Sequence, residues 1–270
     1  MPRQRPKSFR ATVSEAMRYF AAGSVSASMI PGWLAKLREA ASRALPTDEE
    51  THAKIQRILT ASFETMVRPA KISELVPGVK EYTIAMVKPE LRAELDRKIR
   101  QSADLIKLRR EEAINRTLAR FQGWMTSIPV TGATKESIAK AQEDILKPTA
   151  QEKYEWRRVT IDQGHKLSAN IAAVIAIQNG AIAGVWRSHW RDPSYNYRPD
   201  HKARDQKTYA IRNNWAIQRG LMKAGPNGYL DEITQPGEEV YCRCWVRYIH
   251  NISDLPGDML TAKGKKELTL

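Results

Sequence analysis

Glu239-Val240-Tyr241-Cys242-Arg243-Cys244-Trp245-Val246-Arg247-Tyr248 is the stretch on which the fold turns. Its aromatic and β-branched residues predict a β-strand, and the two-residue period of a strand puts Cys242 and Cys244 on one face. These are the 2 cysteines of the chain. Just upstream lie His189 and His201, with His250 close behind, and Trp186, Trp190, Trp215 and Trp245 are interleaved with them. Thiolate and imidazole are the preferred ligands of zinc, so the cysteine pair with the nearby histidines is a candidate part of a zinc site. A Cys-x-Cys pair is tighter than the usual spacing of structural zinc sites. The other reading of the pair is two half-buried thiols packed as small apolar groups. A disulfide between them is disfavoured, because residues two apart on an extended strand project in parallel.

Moving outward, the region before this segment reads as helix after helix. Thr12 with Glu15, Thr47 with Glu50 and Thr149 with Glu152 have the spacing of capping boxes and predict helix starts. Leu91, Leu95, Ile99, Ile106, Ile114, Leu118 and Phe121 recur at helical steps and predict one amphipathic helix over residues 90–124. Pro129 and Gly132 break the pattern, a short helix is expected over 135–146, and a second long one from Ala150 to about Gln178, stopped by Asn179-Gly180. Beyond that, a strand is expected from Ile182 to Trp190, then a polar and aromatic loop, a short helix near Asn213 and a Gly225-Pro226-Asn227-Gly228 turn.

The fold class expected is therefore α+β: a mainly helical amino-terminal region with long amphipathic helices, and a small carboxy-terminal α+β module with a short antiparallel sheet. The domain boundaries expected are a basic flexible arm over 1–11, a helical region over 12–148, a connecting helix over 149–182, the module over 183–250 and a tail over 251–270.

The chain's 270 residues carry 44 Lys plus Arg against 30 Asp plus Glu, a net charge of +14 that favours anionic partners. Arg3, Arg5, Lys7 and Arg10 in the arm, and Arg97, Lys98 and Arg100 on the long helix, are the candidate contacts to nucleic acid or an acidic partner. On the helix, interspersed acids such as Glu94 and Asp96 favour an ordinary solvated face. The absence of a long apolar run and of a secretory leader predicts a protein made in a cytoplasm without a membrane anchor. So few cysteines agree with a reducing compartment.

Trp186, then Arg198-Pro199-Asp200-His201, Gly220, Pro236-Gly237 and Tyr241-Cys242-Arg243-Cys244-Trp245, in that order, resemble the carboxy-terminal module of phage head-morphogenesis proteins, the Mu F-like minor head protein family. The resemblance covers roughly residues 154–249. It departs at Asp205-Gln206, where a glycine is common, and at Tyr241, where an asparagine is common. It implies a minor capsid component of a tailed-phage head, residing in the virion and made in the bacterial host cytoplasm. The implied partners are the portal or major capsid protein and packaged double-stranded DNA, and delivery with the genome is part of the implication. It also implies His201, Cys242 and Cys244 as metal ligands, zinc being the ion expected, with His189, His250 or Asp200 as the fourth. Trp186, Arg198, Asp200, Arg243 and Trp245 are the structural residues of the motif. The rival reading is a nuclease or phosphoesterase using His189, His201, Arg198, Arg204, Asp200 and Asp205. No phosphate loop, zinc-protease motif or nucleophile elbow accompanies them, and the reading adopted is not an enzyme.

Overall fold

A computed structural model describes residues 6–22, 27–68, 81–129 and 131–269. Helices dominate: α1 (Phe9–Ala21), α2 (Ile30–Ala44), α3 (Asp48–Met66), α4 (Glu81–Thr126) and α5 (Lys135–Gln178). There follow β1 (Ala183–Arg187), α6 (Pro199–Arg204), β2 (Thr208–Ala210), α7 (Trp215–Gln218), β3 (Trp245–Ile249) and α8 (Ala262–Glu267). The expected α+β class is what the chain adopts. Arg3 and Arg5 lie outside the described residues.

The chain groups into two compact units, one of residues 1–55 and 101–159, the other of residues 56–100 and 160–270, and the division cuts through α3, α4 and α5. In the first unit, Phe9, Val13, Met17 and Phe20 of α1 pack with Trp33 and Leu37 of α2, Ile114 and Phe121 of α4, and Ile145 of α5. These positions recur every three or four residues, which lines them along one face of each helix. Ser8 caps α1, its hydroxyl accepting from Ala11 N–H at 3.3 Å, so the helix begins inside the expected arm and Phe9 is already buried. Thr12 is within the helix, its hydroxyl donating back to Ser8 O at 3.0 Å, and is no cap. Thr47 and Glu50, by contrast, make the reciprocal capping box of α3, at 3.2 and 2.9 Å.

At Thr149 the expected helix start is absent, because α5 runs through Pro148 without a break. A proline has no N–H for the carbonyl four residues back, here Asp144 O. Arg120 of α4 supplies the missing donor, its guanidinium reaching Asp144 O at 2.6 Å and Asp144 Oδ1 at 2.7 Å. The carbonyl is satisfied by another helix.

In the second unit the sheet is antiparallel with order β2-β1-β3, and Ala183 sits opposite Ala210 on one side and Ile249 on the other. Ala183, Val185 and Ile249 face a core with Leu221, Met222, Leu255 and Met259. The last two belong to the expected tail, which instead closes the module. Gly180, at φ +76°, ends α5 in the left-handed conformation expected of a helix stop.

Candidate metal centre

The chain expected as one strand from Glu239 to Tyr248 is a strand only from Trp245 on, and both cysteines lie in the irregular segment between the turn at Tyr241 and that strand. Tyr241 adopts φ +61°, a left-handed conformation that costs a non-glycine residue roughly 1 kcal/mol or more. Its neighbours hold it there. Tyr241 N–H donates to Asp162 Oδ1 of α5 at 2.5 Å, and the Tyr195 hydroxyl spans the turn, donating to Tyr241 O at 3.3 Å and accepting from Arg243 N–H at 3.2 Å. Both sulfurs are buried and face the same partner, His201, as the shared face expected of them requires.

Facing them is α6. Arg198 and His201, one helical turn apart, sit on the side of that helix that meets the turn. Arg198 donates to Val240 O at 2.9 Å and contacts Glu239 Oε2 at 3.2 Å. His201 is 1% exposed, and its Nδ1 lies 3.4 Å from Cys244 Sγ and 3.7 Å from Cys242 Sγ. The three ligand atoms fall within 4.8 Å of one another, the only such His, Cys or acidic group among the described residues. On the far side of the ring, Nε2 is 2.7 Å from Glu239 Oε2, a contact bent away from ideal hydrogen-bond alignment, and 3.8 Å from Asp200 Oδ2. An imidazole with soft ligands at one nitrogen and a carboxylate at the other is the usual arrangement of a metal-binding histidine.

The environment favours negative charge on Cys242 and disfavours it on Cys244. Cys242 has its pKa pushed down to about 5, first by the hydrogen bond from the Cys244 thiol and then by the backbone N–H groups of Gly237 and Cys244. Cys244 is pushed up, first by that same partnership and then by burial. A cation held by both sulfurs would displace the thiol proton between them. Ser188 Oγ and Trp186 Nε1 are buried next to Cys244 and favour its thiolate, though neither makes a well-aligned hydrogen bond. Trp186, fully buried, sets its ring edge-on to His201 at 5.5 Å, while Arg204 packs over the indole at 5.3 Å.

The structure brings together His201, Cys242 and Cys244 with Trp186, Arg198 and Asp200, and leaves the other proposed ligands out. His189 is exposed and lines a cavity of about 210 Å³ with His165, Arg243, Cys244 and Trp245, but it does not belong to the ligand group. His250 turns away, its Nδ1 3.2 Å from Asn179 O. Asp200 stands behind the imidazole and receives Arg204 at 2.8 Å, so it supports the ring and does not join the sulfurs. Arg243 points from the thiols toward Tyr195 and Asp192. Trp245 opens β3 with 36% of its surface exposed.

Sequence reasoning missed Glu239, Tyr195 and Asp162. Each acts across a long separation, and only the turn at Tyr241 gives them a common purpose. Away from the site, two expected nucleic-acid contacts change: Lys98 is 9% exposed with its pKa lowered, chiefly by burial, and Arg97 grips Glu94 at 2.7 and 2.8 Å. Lys7 pairs with Glu15 at 2.7 Å, whereas Arg10 and Arg100 are exposed.

A scan against protein-family models, a search of curated proteins and a search of solved structures each found no match to this chain. Among the described residues no helix is long and apolar enough to cross a membrane.

Proposed function

We propose that this chain is a non-enzymatic minor structural protein of a tailed-phage head, acting in head morphogenesis at the portal or capsid interior and lying against packaged DNA. Its carboxy-terminal module is closed by a zinc ion on His201, Cys242 and Cys244. One observation carries the reading: the tryptophan strand, the Arg-x-x-His helix and the Cys-Arg-Cys segment, spread over some sixty residues of sequence, meet in a single buried cluster. Zinc fits because the thiolates are soft donors, all three residues are buried, and a carboxylate sits behind the imidazole. Bound there, the ion supplies a cross-link between α6 and the turn that a sheet of short strands does not provide.

The same geometry argues against a reaction centre. At 1% exposure His201 offers no nitrogen to a phosphodiester. Arg204 is spent on Thr234 and Asp200, and Asp205 on Ser188 N–H and the Trp190 indole. Polar groups already saturated by the fold support a scaffold reading.

The test is composition of the particle. Mass spectrometry of gradient-purified, DNA-filled heads from the genome that encodes this chain should find it at few copies relative to the major capsid protein. Its absence from filled heads and from their precursors would overturn the assignment.

A further inference from the structure

With Lys98 buried and Arg97 held by Glu94, the long helix is a poor candidate for holding DNA, and a different surface of the second unit takes its place. Arg191 and Lys202 both sit over the Trp190 ring, at 4.6 and 4.4 Å from its centroid, and Lys202 also lies 5.4 Å from the Tyr197 ring. Two flexible cations are thereby fixed close together on an aromatic base, which lowers the entropy lost when they meet an anion. Arg187 precedes this loop at the end of β1. Lys207 is set across from Trp186, the residue before Arg187, by the backbone bond from Trp186 N–H to Lys207 O at 2.9 Å. Among the described residues no acid lies within ion-pair distance of Arg187, Lys202 or Lys207, although Arg187 contributes to lowering the Asp205 carboxyl.

The nearby carboxylates are committed elsewhere. Asp205 accepts from Ser188 N–H and from Trp190 Nε1, both at 2.9 Å, and its contact to Arg191 is a looser 3.7 Å. Asp200 is engaged by Arg204 at 2.8 Å, and Asp192 by Ser194 at 2.7 Å. With Asp200 offset by Arg204 and Asp192 facing Arg243 at 3.8 Å, the four cations Arg187, Arg191, Lys202 and Lys207 share Asp205, which leaves a local excess of positive charge on a chain already at +14.

We propose that Arg191 and Lys202, seated on Trp190 and flanked by Arg187 and Lys207, form a binding surface for the phosphate backbone of DNA. Neighbouring phosphates of a duplex present closely spaced negative charges, and each one neutralised releases condensed counterions. The aromatic base orients the cations, and the exposed Lys207 extends the track. The proposal rests on the DNA-facing part of the function above, yet its test does not depend on the chain being found in a particle.

Fluorescence anisotropy of the full chain with a short labelled DNA duplex, across a salt series, decides it. Replacing both cations, Arg191→Gln with Lys202→Gln, should weaken binding roughly tenfold or more at low salt and reduce the slope of log affinity against log salt by about two. The second variant, Lys202→Gln with Lys207→Gln, leaves the Arg191–Asp205–Trp190 contacts in place and should show the same slope change with an unaltered melting temperature. Lys202→Arg should restore binding. Affinity and slope that stay at wild-type values in both double variants, or that fall equally in an Arg97→Gln, Arg100→Gln control, would overturn the proposal; a surface built for an acidic protein would give the first of these results.

Discussion

Asp162 shows how much one buried carboxylate organises. It is 5% exposed and accepts from Tyr241 N–H, Gln163 and Lys166. Asp162→Ala would strand a backbone donor and a half-buried ammonium, and should cost about 2–4 kcal/mol in chemical denaturation. His250 gives a second residue-scale expectation. Its Nδ1 meets the Asn179 carbonyl at 3.2 Å, so the neutral ring donates there, while Nε2 is buried with no partner and has no use for a proton. Burial accordingly lowers its pKa below the ordinary 6.5. Below that value the unfolded chain takes up a proton that the folded chain resists, so stability should fall as pH drops from 7.5 to 5.5. His250→Gln should flatten that part of the profile in urea melts; an unchanged profile would refute the assignment. Of the site itself, His201, Cys242, Cys244 and Trp186 were legible because their chemistry is visible in their identity. Glu239 and Asp162 were not, since a lone acid carries no signal until the chain that it contacts is placed.

Among the elements, α5 is the instructive case. Pro148 followed by Thr149 and Glu152 has every local mark of a helix start, and the helix passes straight through because Arg120 takes the carbonyl the proline abandons. Local rules could not reveal a donor lying on another helix. Arg120→Ala should leave Asp144 O dependent on water, lower stability by about 1–2 kcal/mol, and speed amide exchange over residues 145–152 while leaving α1 unaffected. The Cys-x-Cys segment failed for a related reason. Its composition is that of a strand, but the Asp162 and Tyr195 contacts hold Tyr241 left-handed and delay β3 to Trp245. Where periodicity was long, as for the apolar stripe of α4, the sequence reading and the structure agree, because burial of a full face outweighs single residues. The carboxy-terminal helix α8 depends on a close approach: a Cβ at Gly264 would strike the Leu221 carbonyl. Gly264→Ala should therefore undock this segment and expose Met259, at a cost of about 1–3 kcal/mol in a thermal melt.

For the whole molecule, two compact units imply two responses to one perturbation. The candidate ligands all belong to the second unit, and the core of Phe9, Met17, Trp33 and Phe121 belongs to the first. Chelation should raise amide exchange through residues 183–250 and leave residues 9–41 and 114–128 at their original protection. The α+β class and the helical bulk were readable from apolar periodicity and from the aromatic and β-branched content of the carboxy-terminal segments. The crossing between the two units carries no mark of its own in the sequence, since long helices belong to both and no composition shift falls there. The central claim, that the imidazole and the two thiols form a metal-held knot, is tested most directly by metal analysis of the freshly reduced full chain. We predict one zinc per chain, lost in His201→Ala and in Cys242→Ser, with a lower melting temperature after chelation. Metal-free protein whose melting temperature is indifferent to both zinc and chelator would contradict it.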